Sequence, residues 1–228
     1  MGKGGDATRA HVLDAPMLAA LPATGRALDI GCGEGRFCRM MASRGMQAVG
    51  VEPTDALLRA QAQKRDPNGT HLAARAEELP FDDASFDVTV FYLSLIDIPQ
   101  FRAAISEAAR VLRQGGRKLI ANLHAYVSAR PRIWPNVDSH WVETGDLPRH
   151  MAIDDMQEER STPSRWDEIS VTNYHRPLSA YIQALLGAAL ILRDFADPPA
   201  TGPDPDVNTH YHRMPWAFFM AWQQKQGA

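Results

Sequence analysis

The chain has 228 residues, 45% hydrophobic and 22% charged, with a formal net charge of −3. That composition suits one globular α/β domain and offers no basic footprint for DNA or RNA. No apolar run is long enough to span a bilayer, and MGKGGDATRA carries neither a signal-peptide core nor, with Asp6, a myristoylation pattern, so the expectation is a cytoplasmic protein with no membrane or nucleic-acid partner.

Residues 7–21 predict a short helix, or two broken at Pro16. Strand and helix then alternate. Strand Ala27–Ile30 precedes helix Arg36–Arg44, and strand Ala48–Val51 precedes helix Asp55–Arg65, with Thr54 as its N-cap. Strand Thr70–Ala74 leads to a loop around Leu79-Pro80-Phe81, and Phe86–Phe91 is a near-continuous apolar run, the pattern of a central parallel strand. Helix Pro99–Leu112 is expected to end at Gly115-Gly116, before strand Arg117–Asn122. Such alternation gives a doubly wound, parallel sheet with right-handed crossovers.

Residues 126–176 break the rhythm. They form an inserted lid or substrate-binding segment within a single domain covering 1–228, with a hairpin from Met151–Thr162 and Trp166–Tyr174 joined around Pro163-Ser164. Helix Leu178–Leu186, strand Leu190–Phe195, the turn-rich DPPATGPDPDVNTH and a last strand Trp216–Trp222 complete the chain. The two cysteines, Cys32 and Cys38, read as reduced thiols, and no metal set can be built from them.

The most telling stretch is Ala27-Leu28-Asp29-Ile30-Gly31-Cys32-Gly33-Glu34-Gly35, a strand running into three alternate glycines ahead of a helix. Glycine allows φ > 0 and lets a ligand lie against bare backbone. The spacing is G-x-G-x-G and not the G-x-G-x-x-G of dinucleotide sites, and Asp29 would repel a diphosphate. The same carboxylate suits a cationic ligand. Seventeen residues past Gly35, Glu52 ends the apolar strand, where it can accept both hydroxyls of a ribose.

These motifs resemble the class I S-adenosylmethionine-dependent methyltransferases, above all the small-molecule branch called type 11. LDIGCGEGRF is similar to the family's first motif, VGVEP to its second and AEELPFDDASFDVTVFYLSLIDI to its third and fourth. ISEAARVLRQGGRKLIAN resembles the helix, turn and fifth strand, and NYHRPLSAYIQALLGAALILRDF a later helix–strand pair. The likeness is close over Ala27–Asn122 and looser from Asn173 onward. It implies a seven-stranded sheet with the last strand antiparallel, S-adenosyl-L-methionine as cofactor, and methyl transfer to a small, aromatic or heteroaromatic metabolite. It further implies that Asp29, Gly31 and Gly33 flank the methionine end, that Glu52 holds the ribose, that Ala76 and Glu77 lie beside the adenine, that Phe91 sits near the methionine backbone, and that Cys32 and Pro53 belong to the same cofactor-binding set.

Arg75 departs from the pattern, because many relatives carry Asp there and arginine has no acceptor. Either Glu77 or backbone meets the adenine, or Arg75 turns outward. Arg75 also motivates the alternative of a module that binds the cofactor and transfers nothing. Arg9 and Arg36 either reach the cofactor carboxylate or are solvated. His124, past the fifth strand, and His11, in the N-terminal segment, are the candidate general bases, with His175 as a structural histidine or a third candidate. Trp134, Trp141 and Trp166 either line an aromatic pocket, pack the insertion, or form a homodimer contact.

Overall fold

The computed structural model describes residues 9–58, 70–129, 141–142, 150–151, 153, 155–166 and 169–225. Seven strands form one sheet: β1 (Arg26–Ile30), β2 (Gln47–Val51), β3 (Thr70–Leu72), β4 (Phe86–Tyr92) and β5 (Leu112–Leu123), then, beyond the insertion, β10 (Leu190–Ala196) and β11 (Ala217–Gln224). Their order is β3-β2-β1-β4-β5-β11-β10. The pairs β2–β3, β1–β2, β1–β4 and β4–β5 are parallel, and β11 is antiparallel to both β5 and β10.

Alternation along each strand builds a core on both faces. Leu28, Ile30, Val49 and Val51 face helices Phe101–Arg110 and Leu178–Gly187, meeting Ile105, Tyr181 and Leu185. Ala27, Ala48, Val88 and Val90 face the other way, toward Met17, Phe37 and Met41 of helices Asp14–Ala19 and Arg36–Ala42. With both faces covered, the central strands read as nearly unbroken apolar runs. Lys118 of β5 is fully buried and donates to the Ile105 carbonyl at 2.8 Å.

Several boundaries differ from the sequence reading. Pro16 does not break the N-terminal segment. A π-helical turn over Arg9–Leu13 leads into helix Asp14–Ala19, and Pro16 falls in its first turn, where no backbone N–H bond is lost. The helix before β5 ends at Arg110, short of Gly115-Gly116. Leu112 onward already pairs with β4, with a register shift between Phe86 and Val88 and Gly115 at φ +73°. The turn-rich DPPATGPDPDVNTH contains helix Pro205–Arg213, which opens on a proline.

Within the insertion, β6 (Trp141–Val142) pairs β7 (His150–Met151), and β8 (Arg160–Trp166) pairs β9 (Ile169–His175) in an antiparallel hairpin. The ladder runs as far as the Trp166–Ile169 pair. Pro163 and Ser164 lie inside β8, opposite Thr172 and Val171, and do not form the turn. A two-stranded ladder has edges that tolerate proline. The end of β9 is held by Arg176, 3% exposed, which donates to the carbonyls of Leu95 (2.7 Å), Ile98 (2.6 Å) and Pro99 (3.1 Å) and stacks on Phe101 and Tyr174.

Candidate active site

The carboxyl ends of β1, β2 and β4 open into a cavity of about 370 Å³, at the point where the strand order reverses between β1 and β4. Its walls come from several elements. The glycine loop after β1 gives Asp29, Gly31, Cys32, Gly33 and Arg36, and the end of β2 gives Glu52 and Pro53. Tyr92, Ser94, Asp97 and Ile98 follow β4, and Val171 and Tyr174 of the hairpin face them.

Backbone geometry shapes the loop. Gly31 and Cys32 both donate to the Val51 carbonyl, at 2.8 and 3.0 Å, which lays the loop across the end of β2. Gly31 has φ +74°, and a Cβ there would stand 2.5 Å from that of Ser94, whose hydroxyl donates to the Ile30 carbonyl at 2.6 Å. Gly33 has φ +56°, and nothing lies within 4 Å of where its Cβ would be. That space is open to a ligand.

Glu52 is 6% exposed; its Oε2 accepts the Gly33 N–H at 3.1 Å and its Oε1 the Thr54 N–H at 2.9 Å. Each oxygen keeps lone-pair capacity for a hydroxyl. Asp29 is 1% exposed, and burial pushes its carboxyl up to about 7. Its Oδ1 is buried without a hydrogen-bond partner among the described residues, a cost that a cationic ligand would relieve. The open space at Gly33, this oxygen and the acceptor pair on Glu52 fit a ribose-bearing ligand with a cationic end.

The remaining expected residues fall elsewhere. Phe91 is fully buried in the core, because β4 runs one residue further than its apolar pattern suggests, and Tyr92 and Ser94 reach the cavity. Ala76 is buried beside Leu79, and Glu77 accepts from Arg75 (3.3 Å) and the Gln100 N–H (3.4 Å); neither lines the cavity. The Arg75 side chain is 59% exposed and turned outward. Arg36 lines the cavity, but its guanidinium is held by Asp14 (2.9 Å), which also accepts the Tyr92 hydroxyl at 2.6 Å. Arg9 lines the cavity near the Tyr92 ring.

Neither candidate base lines the cavity. His124 is 7% exposed, bonded through Nε2 to Asp197 (2.8 Å) and stacked on Tyr126, with burial lowering its pKa. His11 packs on Gly202, and its carbonyl accepts the Thr201 N–H at 2.9 Å. His175, 3% exposed, bridges Ser128 (2.9 Å) and the Met156 carbonyl (3.0 Å). Trp134 lies outside the described residues, as do the side chains of Trp141 and Trp166.

Sequence reasoning missed Asp97. It lines the cavity, accepts from the Asn173 side chain of β9, and is pushed up to about 6 chiefly by burial. Its place in FYLSLIDI, just past a central strand, was the available signal. Asn173 and Arg176 depend on the hairpin docking against this loop and had none.

The sequence profile of a family described as a methyltransferase domain matches residues 28–120, a span that contains the glycine loop, Glu52 and Asp97. The chain is 38% identical over 109 residues to the "Ubiquinone/menaquinone biosynthesis C-methyltransferase UbiE" of Rhizobium leguminosarum bv. trifolii, covering 42% of this chain and 40% of that protein. It is 40% identical over 129 residues to the "Demethylmenaquinone methyltransferase" of Roseiflexus castenholzii, covering 55% and 52%. The chain thus spans about half the length of these relatives. An S-adenosylmethionine dependent methyltransferase from Mesorhizobium loti has the same fold, with a TM-score of 0.79 at 22% identity over 92% of this chain and 96% of that one. The glycine loop, the sheet order and the matched segment agree: residues 28–120 are similar to that methyltransferase domain, and the chain has the fold of the class I S-adenosylmethionine-dependent methyltransferases.

Proposed function

We propose that this chain transfers a methyl group from S-adenosylmethionine to a small aromatic acceptor. One observation carries the reading: a single cavity joins a polar end, walled by Asp29, Gly33 and Glu52, to an end walled by Tyr92, Ile98, Val171 and Tyr174. Its volume, about 370 Å³, lies within the range of small-molecule sites. The names of the two relatives, both methyltransferases of quinone biosynthesis, favour an aromatic ring as acceptor.

When bound, S-adenosylmethionine supplies an electrophilic methyl on a cationic sulfur. The chain's own task is then to position and to exclude water, which for well-oriented reactants is worth several kcal/mol. Glu52 would take the ribose hydroxyls while still bonded to Gly33, so one carboxylate fixes both ligand and loop. Asp29 would face the cationic end. The β8–β9 hairpin, held by Arg176 and by Asn173 on Asp97, would act as the acceptor-side wall of the lid.

A nucleophile that carries a proton needs a base, and the cavity offers carboxylates for this. Glu34 is bound to Arg39 (2.8 Å) and Glu52 to backbone N–H groups, whereas Asp97 stands on the hairpin side with a carboxyl lifted toward neutrality. Asp97 is the proton acceptor we assign. Incubating the protein with labelled S-adenosylmethionine and a panel of phenols, quinols and non-aromatic alcohols tests the reading. Label is expected in the aromatic members, and transfer only to the alcohols would contradict it.

A further inference from the structure

A cluster of metal-ligating side chains stands just behind the glycine loop. The thiols of Cys32 and Cys38 and the ring of His71 lie together, every pair of ligand atoms within 4.8 Å. They come from three elements: the loop, helix Arg36–Ala42 and β3. Cys32 and Cys38 alone make no metal set, and the missing member arrives through the sheet, because parallel pairing sets His71 beside Gly50.

Gly50 leaves the room they share. A Cβ there would stand 2.6 Å from Cys32 Sγ, 2.7 Å from His71 Cδ2 and 3.0 Å from Cys38 Sγ. Asp29 adjoins the group, with Oδ2 at 3.5 Å from Cys38 Sγ and Oδ1 buried with no hydrogen-bond partner among the described residues. Both sulfurs and the edge of the His71 ring therefore border the space that Gly50 leaves, with the Asp29 carboxylate against Cys38.

Two sulfurs and an imidazole are a donor set for soft or borderline cations, not for calcium or magnesium. In a tetrahedral zinc site the bond lengths of about 2.3 Å to sulfur and 2.0–2.1 Å to nitrogen put neighbouring donors roughly 3.5–3.8 Å apart. Closing the widest pair by at most about an ångström would bring the three donors to that spacing. We propose that Cys32, Cys38 and His71 form a site for a thiophilic divalent cation such as zinc, with the fourth position left to water. Binding exchanges protons for the ion: two thiols and a neutral imidazole take up M²⁺, form two metal–sulfur bonds and one metal–nitrogen bond, and release two protons. Cys32 also lines the cavity, so an occupied site ties the glycine loop to β3.

The test is a titration of the full-length, reduced, metal-free protein with Cd(II), followed by Zn(II) competition against a chromophoric chelator. The expected result is one ion per chain, a thiolate-to-cadmium charge-transfer band, two protons released into weak buffer, and a raised Tm. Cys38→Ser and His71→Ala are each expected to weaken binding by at least about 10-fold, with native far-UV circular dichroism. Cys38 is in the core, so should its variant fail to fold, the half-buried His71 at the short strand β3 still decides the matter. No charge-transfer band in the reduced protein, or a band and affinity unchanged in His71→Ala, would overturn the site.

Discussion

Glu52 Oε2 accepts the backbone N–H of Gly33 at 3.1 Å, so the acid at the end of β2 holds the loop at the end of β1 in place. In the proposed function the same carboxylate takes the ribose. Glu52→Ala is therefore expected to damage binding twice, by removing charge-assisted hydrogen bonds and by releasing the loop. The loss should be about 2–3 kcal/mol, a rise of roughly 30- to 150-fold in Kd for S-adenosylhomocysteine by calorimetry. An unchanged Kd would remove Glu52 from the site.

Gly31 and Gly33 are expected to separate in mutagenesis. Gly31→Ala drives a Cβ to 2.5 Å from that of Ser94 at a left-handed φ, so Tm should fall by roughly 5–10 °C. Adding Ser94→Gly removes the opposing Cβ and should restore part of that loss. Gly33→Ala meets no atom within 4 Å, so it should fold with only the left-handed backbone cost of about 1–2 kcal/mol, and without the steric clash of Gly31→Ala, while weakening ligand binding. Equal Tm losses in the two single variants would contradict this account of the loop.

The sheet, its order of alternation and the glycine loop were legible in the sequence because each rests on local pattern. Ala27, Leu28 and Ile30 are apolar around Asp29, Gly31, Gly33 and Gly35 are spaced for a loop, and Glu52 ends the next strand. Asp97, Asn173 and Arg176 were not legible. Their roles depend on a hairpin folding back onto the loop after β4, a contact between residues about eighty positions apart that no period records. His124 lies outside the cavity lining for a related reason. Its position follows β5, but its ring is bonded to Asp197, which lies beyond β10. His71 joins Cys32 and Cys38 through strand pairing and not through spacing.

Buried charges give the stability a definite pH dependence. Asp29 is raised from 3.8 to about 7 by burial, so the folded chain binds its proton more tightly than the unfolded chain. Stability from this group is greatest below about pH 4 and is lost as pH rises through 7. Asp29→Asn should therefore raise the Tm of the ligand-free protein at pH 8 and change it little at pH 4. The same ΔTm at both values would contradict the assignment.

Lys118 works in the opposite sense. Desolvation lowers it from 10.5 to about 7, so the unfolded chain binds its proton more tightly, and stability is lost as pH falls from about 10.5 to 7. Lys118→Met, of similar length and without the charge, should raise Tm at pH 7 by several degrees. A drop in Tm at pH 7 would mean that the bond to Ile105 outweighs the desolvation.

Arg176→Met leaves three carbonyls, those of Leu95, Ile98 and Pro99, without their buried donor. The expected cost is about 3 kcal/mol or more, a Tm lower by roughly 6–12 °C. S-adenosylhomocysteine binding should change little, because Arg176 supports the hairpin side and not the glycine loop. A large loss of binding with an unchanged Tm would reverse those roles.

The account rests on the cavity beside Asp29, Gly33 and Glu52 being the cofactor's seat. Isothermal titration of the wild-type protein with S-adenosylhomocysteine tests this most directly. We predict one site per chain with a Kd near micromolar, about −8 kcal/mol, abolished or strongly weakened in Glu52→Ala. No binding tighter than about millimolar, or binding that Glu52→Ala leaves intact, would contradict it.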